Sequence, residues 1–200
     1  AVNLAWHLFR RENRRVLVVD LDPQFNASQY LMSYDAWDRH RKARGTAADI
    51  LLDSPRARMP LKDQKATTFS TKLLAPIEVA PPVAGQNRSY LFLLPSELEV
   101  SRAVKNPQGV EFRLQKVLDA WAPSFDFVFV DCAPTDTVLT ATALMASDFV
   151  LVPMRPDRFS IVGYSLMTKV LDEFRATYPD PRRVRDLGVV FTMVARDPDR

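Results

Sequence analysis

Short apolar runs separated by helix-length segments constrain the fold of this chain most strongly. The runs occupy residues 16–19, 90–94, 127–130, 149–152 and 187–191, and each ends at turn or acidic residues. They are apolar on both faces instead of alternating, a pattern typical of strands in a parallel sheet that helices cover on both sides. We therefore predict that these runs are the strands of such a sheet.

Segments with helical patterning lie between the runs, at residues 1–11, 110–121, 135–146 and 160–178. Ser96 and Glu99 have the Ser-x-x-Glu spacing of a capping box, which predicts a further helix before Pro107. The alternation indicates a doubly wound α/β fold, mainly parallel, with ligands bound beyond the carboxyl ends of the strands. We predict irregular surface structure for the proline-rich residues 53–86 and one domain for residues 1–200.

Composition excludes several classes of protein. The chain has 1 cysteine and 2 histidines, so disulfide frameworks and multi-thiolate metal sites are not expected. No apolar run approaches the roughly 20 residues of a membrane-spanning helix, and no signal peptide opens the sequence. We therefore expect a cytoplasmic protein. A net charge of +3 permits a phosphate-bearing partner without indicating one.

Two carboxylates follow the first apolar run directly. In an extended segment Asp20 and Asp22 lie on the same side, where they repel each other unless a cation or a proton intervenes. A divalent metal with phosphate is the usual remedy. The alternative is that either aspartate caps the next helix, with Asn26 or Ser28 as its partner.

A third carboxylate, Asp131, ends the run at 127–130 and precedes a Pro turn. This is the usual position of the Walker-B aspartate, which binds magnesium in phosphate-transferring enzymes. Together with Asp20 and Asp22 it predicts a metal-phosphate site. The neighbouring Cys132 is interpreted as a small core residue without chemistry.

Residues 20–28 read DLDPQFNAS, which resembles the DLDPQGNAS switch segment of ParA-type partition ATPases, the ParA/MinD/Soj family of deviant Walker-A P-loop ATPases. Further segments similar to that family follow in its order, at residues 94–99, 125–134 and 152–163. Residues 1–5 resemble the helix that follows the family's phosphate loop. We therefore expect the first strand and the phosphate loop to precede residue 1, and the domain to be truncated at both ends.

The resemblance implies ATP and Mg²⁺ as cofactors and assigns roles to the acidic residues. Asp22 would position the attacking water, Asp131 would bind magnesium through a water, and Asp20 would support the metal shell. The nucleotide-binding and switch positions that it implies are Gln24, Asn26, Pro134, Thr192 and Met193. Without the phosphate loop, residues 1–200 alone are expected to be inactive.

Two positions depart from the family pattern. Phe25 replaces a glycine in the first switch, which restricts the backbone there, and Ala133 replaces a proline in the second. Neither departure removes a catalytic atom.

The partners implied by the resemblance are a second copy of the chain on ATP binding, nonspecific DNA, and a centromere-binding ParB-like protein. Candidate DNA contacts are Arg182, Arg183 and Arg185, with residues 39–44 as a second basic patch, and either patch is also compatible with a solvated face. The family implies bacterial, nucleoid-associated localisation, and no membrane segment is indicated.

Other functions remain open at this stage. A MinD-like cell-division ATPase shares the acidic residues, but the Pro-Gln after them favours ParA. A haloacid-dehalogenase-like phosphatase would use Asp20 as nucleophile and Asp22 as acid and base, which leaves the later matches unexplained. A non-hydrolysing binding module that has lost its phosphate loop is the third alternative.

Overall fold

Strands and helices alternate along the chain, as the apolar runs predicted. A computed structural model describes residues 1–55, 71–79, 88–133, 135–178 and 184–194. The chain falls into two compact units, Ala1–Ala146 and Ser147–Arg200, which are described separately. Whether they form the single domain expected from the sequence stays a prediction.

A four-stranded sheet in the order β2-β3-β1-β4 is the centre of the first unit. Its strands are β1 (Arg15–Asp20), β2 (Ala75–Val79), β3 (Tyr90–Leu94) and β4 (Phe127–Asp131). β1 pairs in parallel with both β3 and β4, and β2 is antiparallel to β3. The predicted α/β fold with a mainly parallel sheet is confirmed.

β2 corrects the sequence-based prediction for residues 53–86, which was wrong at residues 75–79. The strand contains Pro76 and shifts register between Pro76 and Glu78. Proline lacks an N–H group and is tolerated at a sheet edge, where one side of the strand needs no partner. A short, proline-containing edge strand therefore left no strand signal in the sequence.

Helices cover both faces of this sheet. They are α1 (Val2–Glu12), α2 (Asn26–Leu31), α3 (Tyr34–Ala43), α4 (Ala47–Leu51), α5 (Arg102–Lys105), α6 (Arg113–Trp121) and α7 (Val138–Met145). On one face, Phe9 of α1 packs in a cluster with Val16 and Val18, whereas Leu17 and Val19 belong to the cluster that contains residues of α4, α6 and α7. Successive β1 side chains are thus buried on opposite faces, which explains why the run does not alternate.

The capping box predicted at Ser96 and Glu99 does not form. A 3₁₀ turn at Leu98–Ser101 leads into α5, and Ser96 instead uses its backbone N–H to bond the hydroxyl of Ser28. A capping box forms at the start of α4, where the carboxylate of Asp49 accepts from the N–H of Thr46 at 2.9 Å. The Ser-x-x-Glu spacing was misleading because tertiary hydrogen bonds engage Ser96.

The second unit is a strand-helix-strand arrangement. β5 (Phe149–Met154) and β6 (Arg185–Phe191) pair in parallel, and α8 (Arg158–Thr177) lies between them in sequence. The carboxylate of Asp157 caps α8 by accepting a hydrogen bond from the N–H of Ser160 at 2.8 Å. Across the described parts of both units, no helix combines the length and apolar character needed to cross a membrane.

Candidate functional site

The three predicted carboxylates converge at the carboxyl ends of β1 and β4. Asp20 and Asp131 are direct partners in the parallel register, and the N–H of Leu21 continues the ladder by donating to the carbonyl of Asp131 at 2.8 Å. Asp22 follows two residues after Asp20. We call these three residues the acidic edge. Its formation follows from two neighbouring parallel strands, β1 and β4, that each end in an acid.

Asp20 is the buried member of the acidic edge, with 0% of its surface exposed. One carboxylate oxygen accepts from the N–H and the hydroxyl of Ser28 at 2.8 and 2.7 Å, and the other accepts from the N–H of Asp22 at 3.1 Å. Burial raises the pKa of Asp20 to about 6, although these hydrogen bonds oppose the rise. Asp20 therefore fixes the first turn of α2, as the capping alternative expected, and holds the backbone of Asp22.

Asp131 is half-buried, and its carboxylate is open. Among the described residues none donates a hydrogen bond to it. Burial raises the pKa of Asp131, and the charge of Asp22 adds to the rise. A cation would relieve this repulsion, and a carboxylate oxygen is the ligand type that Mg²⁺ prefers.

The residues present thus fit a magnesium ion that takes few protein ligands. No group of three or more His, Cys, Asp or Glu side chains suited to a metal occurs in the described part of the chain. Magnesium in phosphate-transfer sites usually binds one or two carboxylates, with waters and substrate phosphates completing the octahedron. A single open carboxylate at Asp131 is compatible with that arrangement.

The predicted first switch spans the loop between β1 and α2 and the first turn of α2. The carboxylate of Asp22 accepts from the N–H of Gln24 at 2.9 Å, and its carbonyl accepts from the N–H of Phe25 at 2.8 Å. The side-chain amide of Asn26 lies 3.5 Å from the Oε1 of Gln24. Gln24 and Asn26 are exposed beside Asp22, so the structure brings these three predicted site residues together.

Phe25, the residue that departs from the family pattern, adopts the left-handed conformation at φ 46° and ψ 39°. For a residue other than glycine this conformation costs about 1–2 kcal/mol. The Phe25 ring stacks on Trp37 with a centroid distance of 4.9 Å and an interplanar angle of 2°. Aromatic pairs contribute about 0.5–1.5 kcal/mol beyond buried area, which offsets part of the strain.

Cys132 follows the acidic edge in sequence. Burial, together with the charges of Asp131 and Asp22, raises the pKa of its thiol to about 11. The thiol is therefore protonated at neutral pH and is a poor nucleophile. This environment agrees with the interpretation of Cys132 as a structural residue.

The remaining predicted positions belong to the second unit or lie outside the described residues. Thr192 donates its N–H to the carbonyl of Met154 at 2.7 Å, and Met193 is exposed with φ 54°. The guanidinium of Arg185 lies 4.4 Å from the ring centroid of Phe149. Pro134, Arg182 and Arg183 are outside the described residues. The roles assigned to this group stay predictions.

Two contacts of the site escaped the sequence analysis. The Ser28 hydroxyl accepts a hydrogen bond from the N–H of Ser96 at 2.9 Å, and the ring of Trp37 stacks on that of Phe25. The pairing of Ser28 with an aspartate was one of the alternatives drawn from the sequence, and the structure shows it with Asp20. The bond from Ser96 and the stack on Trp37 join different elements, so no local spacing could have revealed them.

Comparisons with known proteins identify the family and the fold of this chain. The family model described as "AAA domain" (AAA_31) matches residues 1–181. The chromosome partitioning protein ParA of Myxococcus xanthus is 31% identical over 175 residues, which are 86% of this chain and 52% of that protein. This chain thus spans about half the length of that curated relative.

Two solved structures show the same fold. The structure of pnob8 ParA superimposes with a TM-score of 0.69 at 20% identity, covering 98% of this chain and 60% of that one. Cobyrinic acid a,c-diamide synthase from Mycobacterium smegmatis, in a structure with bound ATP analogue and magnesium, gives 0.67 at 23% identity, covering 96% and 68%. The chain therefore belongs to the AAA domain family, among the ParA-type partition ATPases.

Proposed function

We propose that this chain provides the acidic edge of an ATP-hydrolysing dimerisation switch for partitioning DNA. The observation that carries the proposal is the register pairing of Asp20 with Asp131, which sets one open and one fully hydrogen-bonded carboxylate side by side. Asp22 is tied to this pair through its N–H bond to Asp20. A site of this kind suits a phosphate-bound divalent cation.

Each member of the acidic edge has a separate role in the proposal. The open carboxylate of Asp131 would hold Mg²⁺ through a water, and the carboxylate of Asp22 would orient the water that attacks the γ-phosphate. Asp20 holds the backbone of Asp22 and the first turn of α2 in place through its hydrogen bonds. Bound Mg²⁺ would neutralise charge on the phosphates of ATP. Support for both cofactors comes from the Mycobacterium smegmatis synthase, whose fold is shared and which was solved with an ATP analogue and magnesium.

The partners in the proposal are those of a partition protein: a second copy of the chain in the ATP state, nonspecific DNA, a ParB-like activator, and the nucleoid as location. Support comes from the Myxococcus relative, which is a chromosome partitioning protein. Replacing Arg182, Arg183 and Arg185 with alanine is expected to weaken DNA binding. If each arginine contacts one phosphate, the slope of the logarithm of the binding constant against the logarithm of the salt concentration is expected to become shallower by about three. An unchanged slope would exclude these arginines from the interface.

ATP turnover of the protein expressed from its complete coding region tests the hydrolytic role. Asp22→Ala is expected to lower kcat by about 100-fold or more while ATP-driven dimerisation, measured by light scattering, persists. Asp35→Ala is the matched control, because Asp35 is an exposed acid in the first turn of α3. Unchanged turnover in Asp22→Ala would overturn the role of Asp22, and absence of turnover in the unmodified protein would favour a non-hydrolysing module.

A MinD-like role in cell division uses the same acidic edge and differs in its surface. Binding of the ATP-loaded protein to DNA-coated beads, compared with binding to anionic vesicles, separates the two functions. Preference for DNA supports partition, and preference for vesicles supports the MinD-like alternative.

A further inference from the structure

An aromatic stack joins the loop that carries Asp22 to α3. Phe25 is the residue at the turn of this loop, with its backbone in the left-handed region at φ 46°. Its ring lies almost parallel to that of Trp37, at 2° and 4.9 Å between centroids. A bulky residue keeps such a conformation only where surrounding contacts enforce it. The stack on Trp37 is a contact that can hold Phe25 in this conformation.

Trp37 itself is fixed from several directions. Its indole Nε1–H donates to the carbonyl of Ser96 at 2.9 Å, the guanidinium of Arg41 lies 5.2 Å from its ring, and Tyr34 contacts it at 5.6 Å with a 39° tilt. Only 8% of the Trp37 surface is exposed. The ring therefore presents a fixed, flat apolar face to Phe25.

The Trp37 ring and the acidic edge share a common attachment. Ser96 accepts from Trp37 through its carbonyl and donates its N–H to the hydroxyl of Ser28, which in turn donates to Asp20. Both ends of the loop are thus connected to the backbone of Ser96, one through Ser28 and Asp20 and the other through Trp37 and Phe25. Movement of Trp37 away from Ser96 would release the Phe25 side of the loop while the Asp20 side stays bonded.

We propose that Phe25 is a positioning residue that sets the conformation of residues 22–26 by stacking on Trp37. The stack holds the N–H groups of Gln24 and Phe25 against Asp22, so that the Asp22 carboxylate keeps one direction. The effect on hydrolysis rests on the proposed function of Asp22, whereas the effect on the loop does not.

Leucine and glycine at position 25 are both expected to loosen the loop, for different reasons. Leucine at this position retains the cost of the left-handed backbone but has no flat face to stack, so the conformation loses its support. Glycine adopts the left-handed region without strain but also adopts many others, so the loop is no longer restricted to one state. Tyrosine preserves the ring and is the conservative variant.

Hydrogen exchange without nucleotide tests the stack directly. In Phe25→Leu the backbone amides of residues 24 and 25 are expected to exchange at least about tenfold faster than in the unmodified protein, because local opening becomes easier. Phe25→Tyr is expected to restore protection. Tyr30→Leu is the matched control, since it removes an exposed ring of α2 that takes no part in the stack. Unchanged exchange in Phe25→Leu would overturn the proposal.

Steady-state kinetics of the complete protein test the positioning role. Phe25→Leu is expected to lower kcat about tenfold with KM for ATP unchanged, and Phe25→Tyr to recover kcat. Faster exchange with an unaltered kcat, or an equal change in KM, would overturn positioning. If the unmodified protein hydrolyses no ATP, the proposed function fails, and the exchange result alone decides whether Phe25 sets the loop.

Discussion

Replacement of Ser28 by alanine removes a buried hydroxyl that has two partners. The hydroxyl donates to the carboxylate of Asp20 at 2.7 Å and accepts from the N–H of Ser96 at 2.9 Å, and Ser28 and Ser96 are both 0% exposed. A hydrogen bond to a charged group contributes about 1.5–3 kcal/mol, and a buried N–H left unpaired costs about 1–3 kcal/mol. We expect Ser28→Ala to lower the free energy of unfolding by about 3 kcal/mol at pH 7.5.

The loss is expected to depend on pH, and its sign follows from Asp20. The pKa of Asp20 is raised to about 6 in the fold, against about 3.9 in an unfolded chain. The carboxyl group therefore favours the folded state when protonated, and this contribution disappears as the pH rises through 6. Ser28→Ala removes a bond that favours the charged form, so the stability difference from the unmodified protein is expected to narrow between pH 7.5 and pH 5.

Urea unfolding at both pH values, in EDTA and without nucleotide, measures this difference. Ser33→Ala is the matched control: its exposed hydroxyl caps α3 by accepting from the N–H of Ala36 at 3.3 Å. Loss of such a cap costs about 1 kcal/mol without a pH trend in this range. A loss of stability in Ser28→Ala no larger than that in Ser33→Ala, or one equal at both pH values, would contradict the role given to the Ser28 hydroxyl.

Two further predictions concern the first unit. Gly45→Ala is expected to lower the free energy of unfolding by about 2 kcal/mol or more in urea titrations. Gly45 has φ +102°, and a Cβ there would collide with the Asp49 carboxylate and approach Leu73 Cδ2 to 2.9 Å. A loss no larger than that of Gly109→Ala, an exposed control, would contradict this expectation. Cys132, whose thiol pKa is raised to about 11, is expected to react with iodoacetamide at pH 7.5 at least about 100-fold more slowly than after unfolding in urea, and comparable rates in both states would show that the thiol is accessible and ionised.

The strands of the parallel sheet could be predicted because their signal is local. β3 begins and ends where its apolar run does, and β1 and β4 extend their runs by one residue at one or both ends to include the acids. Burial on both faces requires a continuous run of apolar side chains, and such a run is visible in the sequence itself. The acidic edge followed from the same logic, since parallel strands that end in acids place them together.

The parts that could not be predicted depend on contacts between distant segments. β2 exists because β3 offers a free edge, and its own sequence carries proline and charge. Ser96 matched a capping box, yet its N–H is bonded to Ser28, 68 residues away. The stack of Phe25 on Trp37 similarly needs α3 to fold back beside the loop, and no periodicity in the sequence reports that approach.

In the proposed function, Asp131 provides the open carboxylate of a magnesium-dependent nucleotide site. Calorimetric titration of ATP into the protein from its complete coding region, at increasing Mg²⁺, measures this directly. Asp126→Asn is the matched control, because Asp126 precedes the same strand and is ion-paired with Arg15 at 2.7 Å. Asp131→Asn is expected to weaken the Mg²⁺-dependent affinity for ATP at least about tenfold, and Asp126→Asn is expected to leave it unchanged. Equal Mg²⁺ dependence in Asp131→Asn and the unmodified protein would contradict the claim.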